Sequence, residues 1–142
     1  MTTDGTVKEK ILQILLDDSR KSFRTLASEL KISTTTVSKL INELEDEGVI
    51  IGYTTLIDWH KLGYDATLCL QVSVSPDADI DKVGSALRKI QAVKQVFYTT
   101  GDTNFSAFAV CKDTEEATAL LEKLRHVSGI QRVVPHTVLK TF

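Results

Sequence analysis

The chain has 142 residues, enough for one domain or two small ones with a buried core. Hydrophobic residues make up 42% and charged residues 25%, and the apolar runs are only a few residues long, which excludes a membrane-spanning helix. The formal net charge of −2 excludes a uniformly basic nucleic-acid binder, so any such role depends on how the charge is distributed.

The N-terminal MTTDGTVKEK lacks the apolar stretch of a signal peptide, so a cytoplasmic protein with no membrane partner is expected. Val7, Ile11, Ile14 and Leu15 then predict a first helix over about residues 5–17. The next stretch, SFRTLASELKISTTTVSKLINELEDEGVI, reads as two short helices joined by a tight turn. Phe23, Leu26, Ala27 and Leu30 form the apolar stripe of one, and Val37, Leu40, Ile41 and Leu44 that of the other. Ala27 is small where the two helices must approach closely. Ser22 and Ser33 each precede an apolar run, where a side-chain oxygen can cap free N–H groups, and Gly48 follows the second helix. This is a helix-turn-helix pattern, which places its second helix in the DNA major groove. Lys31 stands in the turn where such motifs usually carry glycine. If its φ is positive, lysine is strained there by roughly 1 kcal/mol.

Charge along the motif is polarised. Residues 1–60 hold seven Lys/Arg and ten Asp/Glu, a net of −3, yet residues 20–39 hold five basic residues against Glu29 alone, a net of +4. Glu43, Glu45, Asp46 and Glu47 follow. The basic end faces a phosphate backbone in this reading, and the acidic end faces away. The exposed residues Ser33, Thr34, Thr35, Ser38 and Lys39 are the candidate contacts to bases or phosphates, with Arg20, Lys21 and Arg24 on the backbone. Solvated helix faces in an ordinary helical hairpin remain the alternative.

After Gly48, VIIGYTTLID is rich in β-branched and aromatic residues and predicts short strands, completing a winged-helix-type unit over residues 1–58. Residues 59–65 read as a linker. From residue 66 the rhythm changes. Ala66, Leu68, Leu70, Val72 and Val74 alternate with Thr67, Cys69, Gln71, Ser73 and Ser75, so one strand face is buried. Ile80, Val83, Leu87 and Ile90 recur at helical spacing, and VKQVFYTT, a Gly101-Asp102 turn and FSAFAVC give two more strands. Ala117, Leu120, Leu121 and Leu124 mark another helix before the last strand in IQRVVPHTVLKTF. Residues 66–142 therefore follow β-α-β-β-α-β, a ferredoxin-like pattern, in an α+β chain. Such a sheet carries helices on one face only. A second copy of the chain would cover the other, so a homodimer, extending to a tetramer or octamer, is expected.

No catalytic residues are evident. His60, His126 and His136 are scattered over a linker, a helix end and a strand, without metal spacing, and no metal or cofactor is expected. Cys69 and Cys111 read as reduced packing residues.

A helix-turn-helix followed by this α/β domain resembles the Lrp/AsnC (leucine-responsive, feast/famine) transcription regulators over nearly the whole chain. The matching pieces are Arg20-x-Ser22, Leu26-Ala27, Ile32-Ser33, Leu44-Glu45-x-x-Gly48-Val49-Ile50, Gly52-Tyr53 and Gly101-Asp102. The resemblance implies a winged helix-turn-helix domain and a RAM-type domain, double-stranded DNA as partner, and a small effector such as an amino acid. The effector would sit between dimers, at the loop of Thr99, Thr100, Gly101, Asp102 and Asn104. Asn104 stands where a second acid is often found. On residues alone a plain hairpin turn explains Gly101-Asp102 equally well. A tetrapyrrole (siroheme) decarboxylase subunit of the same architecture, or a ligand-sensing assembly protein with weak DNA binding, are the other readings. The decarboxylase would need cationic or histidine side chains that TTGDTNFSAF does not supply.

Overall fold

The computed structural model describes the backbone from residue 3 and side chains from residue 5, through residue 142. Met1 and Thr2, the start of the expected DNA-binding unit, lie outside the described residues. The chain divides into two compact units, Met1–Leu56 and Ile57–Phe142.

The first unit holds α1 (Thr3–Asp17), α2 (Phe23–Leu30) and α3 (Thr34–Asp46). Each helix buries one stripe. Ile11, Leu26, Ala27, Val37, Leu40, Ile41 and Leu44 form the core, with Val7, Ile14, Leu15, Leu30, Ile32 and Ile50 packed around it. Both serines cap as expected: Ser22 Oγ accepts from Thr25 N at 3.1 Å, and Ser33 Oγ from Thr36 N at 3.0 Å. Lys31 closes α2 in the left-handed conformation, φ 56° and ψ 43°, with its N–H directed at the carbonyls of Ala27 and Ser28. The turn between α2 and α3 requires this geometry, and lysine rather than glycine adopts it.

Two expectations fail in this unit. Phe23 does not join the α2 stripe in the core: it is 44% exposed. The predicted strands after Gly48 do not form either, and residues 51–58 lie outside any ladder. Ile51 and Leu56 are 96% and 95% exposed. A β-branched segment becomes a strand only when another segment pairs with it, and no described segment of the unit does so. Tyr53 instead holds the stretch to α3, donating its hydroxyl to Glu45 Oε1 at 2.8 Å.

The second unit opens with a short 3₁₀ turn, His60–Leu62, then β1 (Ala66–Val74), α4 (Ile80–Lys89), β2 (Val93–Tyr98), β3 (Phe105–Cys111), α5 (Thr114–Arg125) and β4 (Ile130–Thr137). The sheet order is β2-β3-β1-β4 with every neighbour antiparallel, the ferredoxin-like arrangement. The last strand stops at Thr137, short of the predicted terminus. On the covered face Leu68, Leu70 and Val72 of β1 stand across from Ala109, Ala107 and Phe105 of β3. Val83 and Leu87 of α4, and Leu120 and Leu124 of α5, complete that core. Gly129, at φ 90°, turns the chain into β4. A Cβ there would lie 3.1 Å from both Ala78 Cβ and Val83 Cγ2, so glycine is required by space as well as by conformation.

The opposite sheet face carries Thr67, Cys69, Gln71 and Ser73 from β1, Ser106 and Phe108 from β3, Phe97 from β2, and Arg132, Val134 and His136 from β4. It is mixed in polarity rather than apolar throughout. Cys111 is buried in the core as expected, and burial pushes its thiol pKa up. Cys69, by contrast, is not a packing residue: it is exposed on the open face, because the alternation of β1 that buries Leu68 and Leu70 turns the residue between them outward.

Relieving the left-handed strain of Lys31 should outweigh the extra chain entropy of glycine. Lys31→Gly is expected to stabilise the helical unit by about 0.5–1 kcal/mol, read as a higher urea midpoint by circular dichroism. An unchanged or lower midpoint would show that lysine sits there without strain.

Candidate nucleic-acid interface and ligand site

The solvent side of α3 borders a shallow, open depression lined by Thr34, Thr35, Ser38, Lys39 and Asn42 together with Phe23 at the start of α2. Thr34, Thr35, Lys39 and Asn42 are exposed and Ser38 is half-buried. The core stripe of α3 faces inward, so these residues present a polar face by helical periodicity alone. Glu43 and Asp46 line the far end of the cleft. Glu43 is not a free charge there. Lys8 Nζ lies 3.0 Å from Glu43 Oε2 and 3.0 Å from Glu47 Oε1, and Lys39 Nζ lies 3.8 Å from Glu43 Oε1. The Lys8 ammonium holds the Glu43 carboxyl below the usual carboxylate range. The acidic end of α3 is thus tied back to α1, and the end beginning at Thr34 faces solvent without carboxylates.

Of the sequence-derived contacts, Thr34, Thr35, Ser38 and Lys39 share one surface with Phe23, and the others are not equally available. Ser33 spends its hydroxyl on the cap and on a 2.7 Å bond with Thr36 Oγ1. Lys21 Nζ pairs with Glu29 Oε1 at 2.7 Å. Arg20 and Arg24 are exposed. Phe23 was read as a core residue, and its place at the cleft was not visible in the apolar spacing.

The loop between β2 and β3 is held from below. Thr99 N donates to Asn104 O at 2.8 Å, and Asn104 N donates to Val72 O at 2.9 Å. Asn104 Oδ1 accepts from Val74 N at 2.9 Å, where the β1–β4 register shifts. This side chain therefore fastens the loop to the end of β1. Asparagine and aspartate offer the same acceptor at this point, so the residue difference noted in the loop leaves its anchorage intact. Thr99 Oγ1 donates to Thr103 O at 3.3 Å. Gly101 has φ 114° with open space where a Cβ would be, and Asp102 is exposed at the tip. Beneath the loop, Gln71 Oε1 accepts from Thr103 Oγ1 and Ser106 Oγ, each at 2.9 Å. The sequence reading missed Gln71 at this cluster. The alternation of β1 puts it on the open face, and only the β1–β3 register sets it against Ser106.

The histidines stay apart in sequence and element. His60 Nδ1 lies 2.7 Å from Asp65 Oδ1 beside the 3₁₀ turn, His126 caps α5, and His136 stands across from Cys69 on the open sheet face. Among the described residues no three His, Cys, Asp or Glu side chains converge as a metal site would require, and no helix is long and apolar enough to cross a membrane.

Residues 6–51 match a family model described as winged helix-turn-helix DNA-binding, and residues 67–142 match the Lrp/AsnC ligand binding domain. The chain belongs to the Lrp/AsnC family. It is 33% identical over 131 residues to the HTH-type transcriptional regulator LrpA of Pyrococcus abyssi, covering 92% of each chain. It is 30% identical over 103 residues to the regulatory protein AsnC of Haemophilus influenzae, covering 72% of this chain and 67% of that protein. Among solved structures, the transcriptional regulator NMB0573 of Neisseria meningitidis, a complex with L-Met, shares the Lrp/AsnC fold at a TM-score of 0.81. It is 24% identical, and the match covers 94% of this chain and 88% of that one.

Asn104→Ala would leave the half-buried Val74 N–H without its acceptor, at a cost of about 1–2 kcal/mol in urea unfolding of the second unit. Asn104→Asp keeps the acceptor and should cost far less. Equal losses for the two variants would remove the side-chain oxygen from the loop's support.

Proposed function

We propose that the chain is a sequence-specific DNA-binding transcription regulator whose assembly or DNA binding responds to a small effector, with an amino acid as the effector class. The observation that carries this reading is the joint occurrence of an exposed polar α3 face, with Glu43 at its far end paired to Lys8, and a matched ligand-binding domain. In this reading residues 1–58 bind DNA, residues 59–65 link, and residues 66–142 assemble the protein and take the effector. The chain works in the cytoplasm by binding rather than catalysis.

Thr34, Thr35, Ser38 and Lys39 would meet base edges or phosphates at the start of α3, with Ser33 supplying its backbone to the same end. Arg20, Lys21 and Arg24 would hold the phosphate backbone. Lys21 must first leave Glu29, so its contribution is the smallest of the three. Each base or phosphate contact contributes about 1–3 kcal/mol, and a dimer loses two at once. Lys39→Ala is therefore expected to weaken operator binding at least tenfold in a gel shift while leaving the thermal transition unchanged. Undiminished affinity would take Lys39 out of the interface.

The ligand would lie over the loop of Thr99, Thr100, Gly101, Asp102 and Asn104. Asp102, exposed at the tip, has the charge to receive an ammonium group, and Gly101 lets a carboxylate approach backbone N–H groups. Asn104 contributes through its amide nitrogen, its oxygen being held by Val74. The open sheet face calls for a homodimer, and a ligand between dimers would shift the balance toward tetramers or octamers. Several weakly basic helices would then act together on DNA. Ligand and DNA would be coupled reciprocally, by about 1–3 kcal/mol in systems of this kind.

Asp102→Ala should leave circular dichroism and ligand-free DNA affinity near wild type. It should abolish the change in assembly, followed by light scattering, that one of the twenty amino acids produces in the wild type. A variant that still responds at the same ligand concentration, or a wild type that is monomeric at micromolar concentration, would contradict the assignment.

A further inference from the structure

Phe23 is an anomaly of the helix-turn-helix. The buried residues of α2 are Leu26 and Ala27, whereas Phe23 follows the Ser22 cap and leaves 44% of its surface in water. Single exposed apolar residues are ordinary. This one borders the α3 cleft, and it also borders a second, smaller cleft that shares Asn42 with the first. Phe23 and the exposed Asn42 thus line the same surface beside α3.

The cleft has a limit. Thr34 to Asn42 span about 12 Å at 1.5 Å per residue, or between three and four base pairs. Beyond Asn42 come Glu43, already bound to Lys8, and Asp46, whose charge opposes phosphates. Asn42 is therefore the last residue of this surface before the acids, and Phe23 lines the same surface. Threonine and serine hydroxyls accept or donate and discriminate little between bases. An asparagine amide is matched by the N6 and N7 atoms of adenine, and the thymine methyl is the apolar group a base pair offers in the major groove.

Resting on the DNA-binding reading above, we infer that Asn42 and Phe23 determine specificity for an A·T pair at one edge of each half-site. The Asn42 amide takes the adenine edge, and the Phe23 ring packs against a thymine methyl of that pair or the next. Asn42 is too far along α3 to be a capping residue, and the ring's exposed surface is what the methyl removes from water.

The test begins with selection of duplexes from a random library by the full-length protein, followed by equilibrium binding to the selected site. Deoxyuridine in place of that thymidine deletes only the methyl. It should weaken wild-type binding about fourfold per half-site, the worth of one buried methyl-sized group, and leave Phe23→Ala unaffected. Replacing the adenine by 7-deazaadenine should weaken the wild type about fivefold and leave Asn42→Ala unaffected. Loss of affinity in Phe23→Ala that is the same on both DNAs would show a ring that only supports the helices, and would overturn the inference. So would an enriched half-site without an A·T pair. A wild type indifferent to the methyl decides against it even if the variants fold poorly. Failure to enrich any sequence would instead overturn the DNA-binding reading itself.

Discussion

The packing of α4 and α5 onto a single face of the sheet is the constraint from which the second unit follows. β1 is the spine: it pairs with β3 on one side and β4 on the other, and its Leu68, Leu70 and Val72 lie under the helices. Every second residue of that strand is consumed by this core. The residues between, Cys69 and Gln71 among them, must point the other way. A sheet of this kind does not close on itself, so the face away from the helices stays in water until another surface meets it. Its mixture of Phe97, Phe108 and Val134 with Gln71, Ser106 and Arg132 suits a contact that is directional as well as apolar.

The same register places the loop between β2 and β3. Asn104 is bonded through its backbone to Val72 and Thr99 and through its side chain to Val74, so the loop base is continuous with the sheet while Gly101 and Asp102 project from it. In the proposed ligand reading Asn104 serves both ends, anchoring through its oxygen and offering its amide nitrogen, while Gly101 and Asp102 take no part in the anchorage.

In the first unit, polarity along α3 decides which part of the helix can approach a polyanion. The helix is acidic over its last turns, and an acidic helix end would repel phosphate. Lys8 offsets this by reaching Glu43 and Glu47 from α1, at 3.0 Å each. Lys8 and Glu43 are half-buried and Glu47 is exposed, and ion pairs this near the surface contribute little to stability. Their effect is on the field: Glu43 and Glu47 are partly offset, Asp46 keeps its charge at the far end, and the hydroxyls of Thr34 and Thr35 stand at the end without carboxylates.

Sequence alone determined the helices, the strands of the second unit and their order, because each rests on a period that local side chains write directly: 3.6 residues for a helix and two for a half-buried strand. The Ser22 and Ser33 caps and the left-handed Lys31 were equally local, since each depends on backbone groups within a few residues. What tertiary structure decided were properties that need a second segment. Residues 51–58 have strand composition but no pairing partner, and so form no strand. Cys69 and Cys111 occupy similar strand contexts, yet the helices cover the face of one and not the other. Phe23 keeps the helical spacing of a core residue, but at the first position of α2 it borders the cleft beside α3 instead. Asn104 could be seen in sequence as a polar loop residue. That its oxygen belongs to Val74, thirty residues away, is a fact of register, which no local pattern encodes.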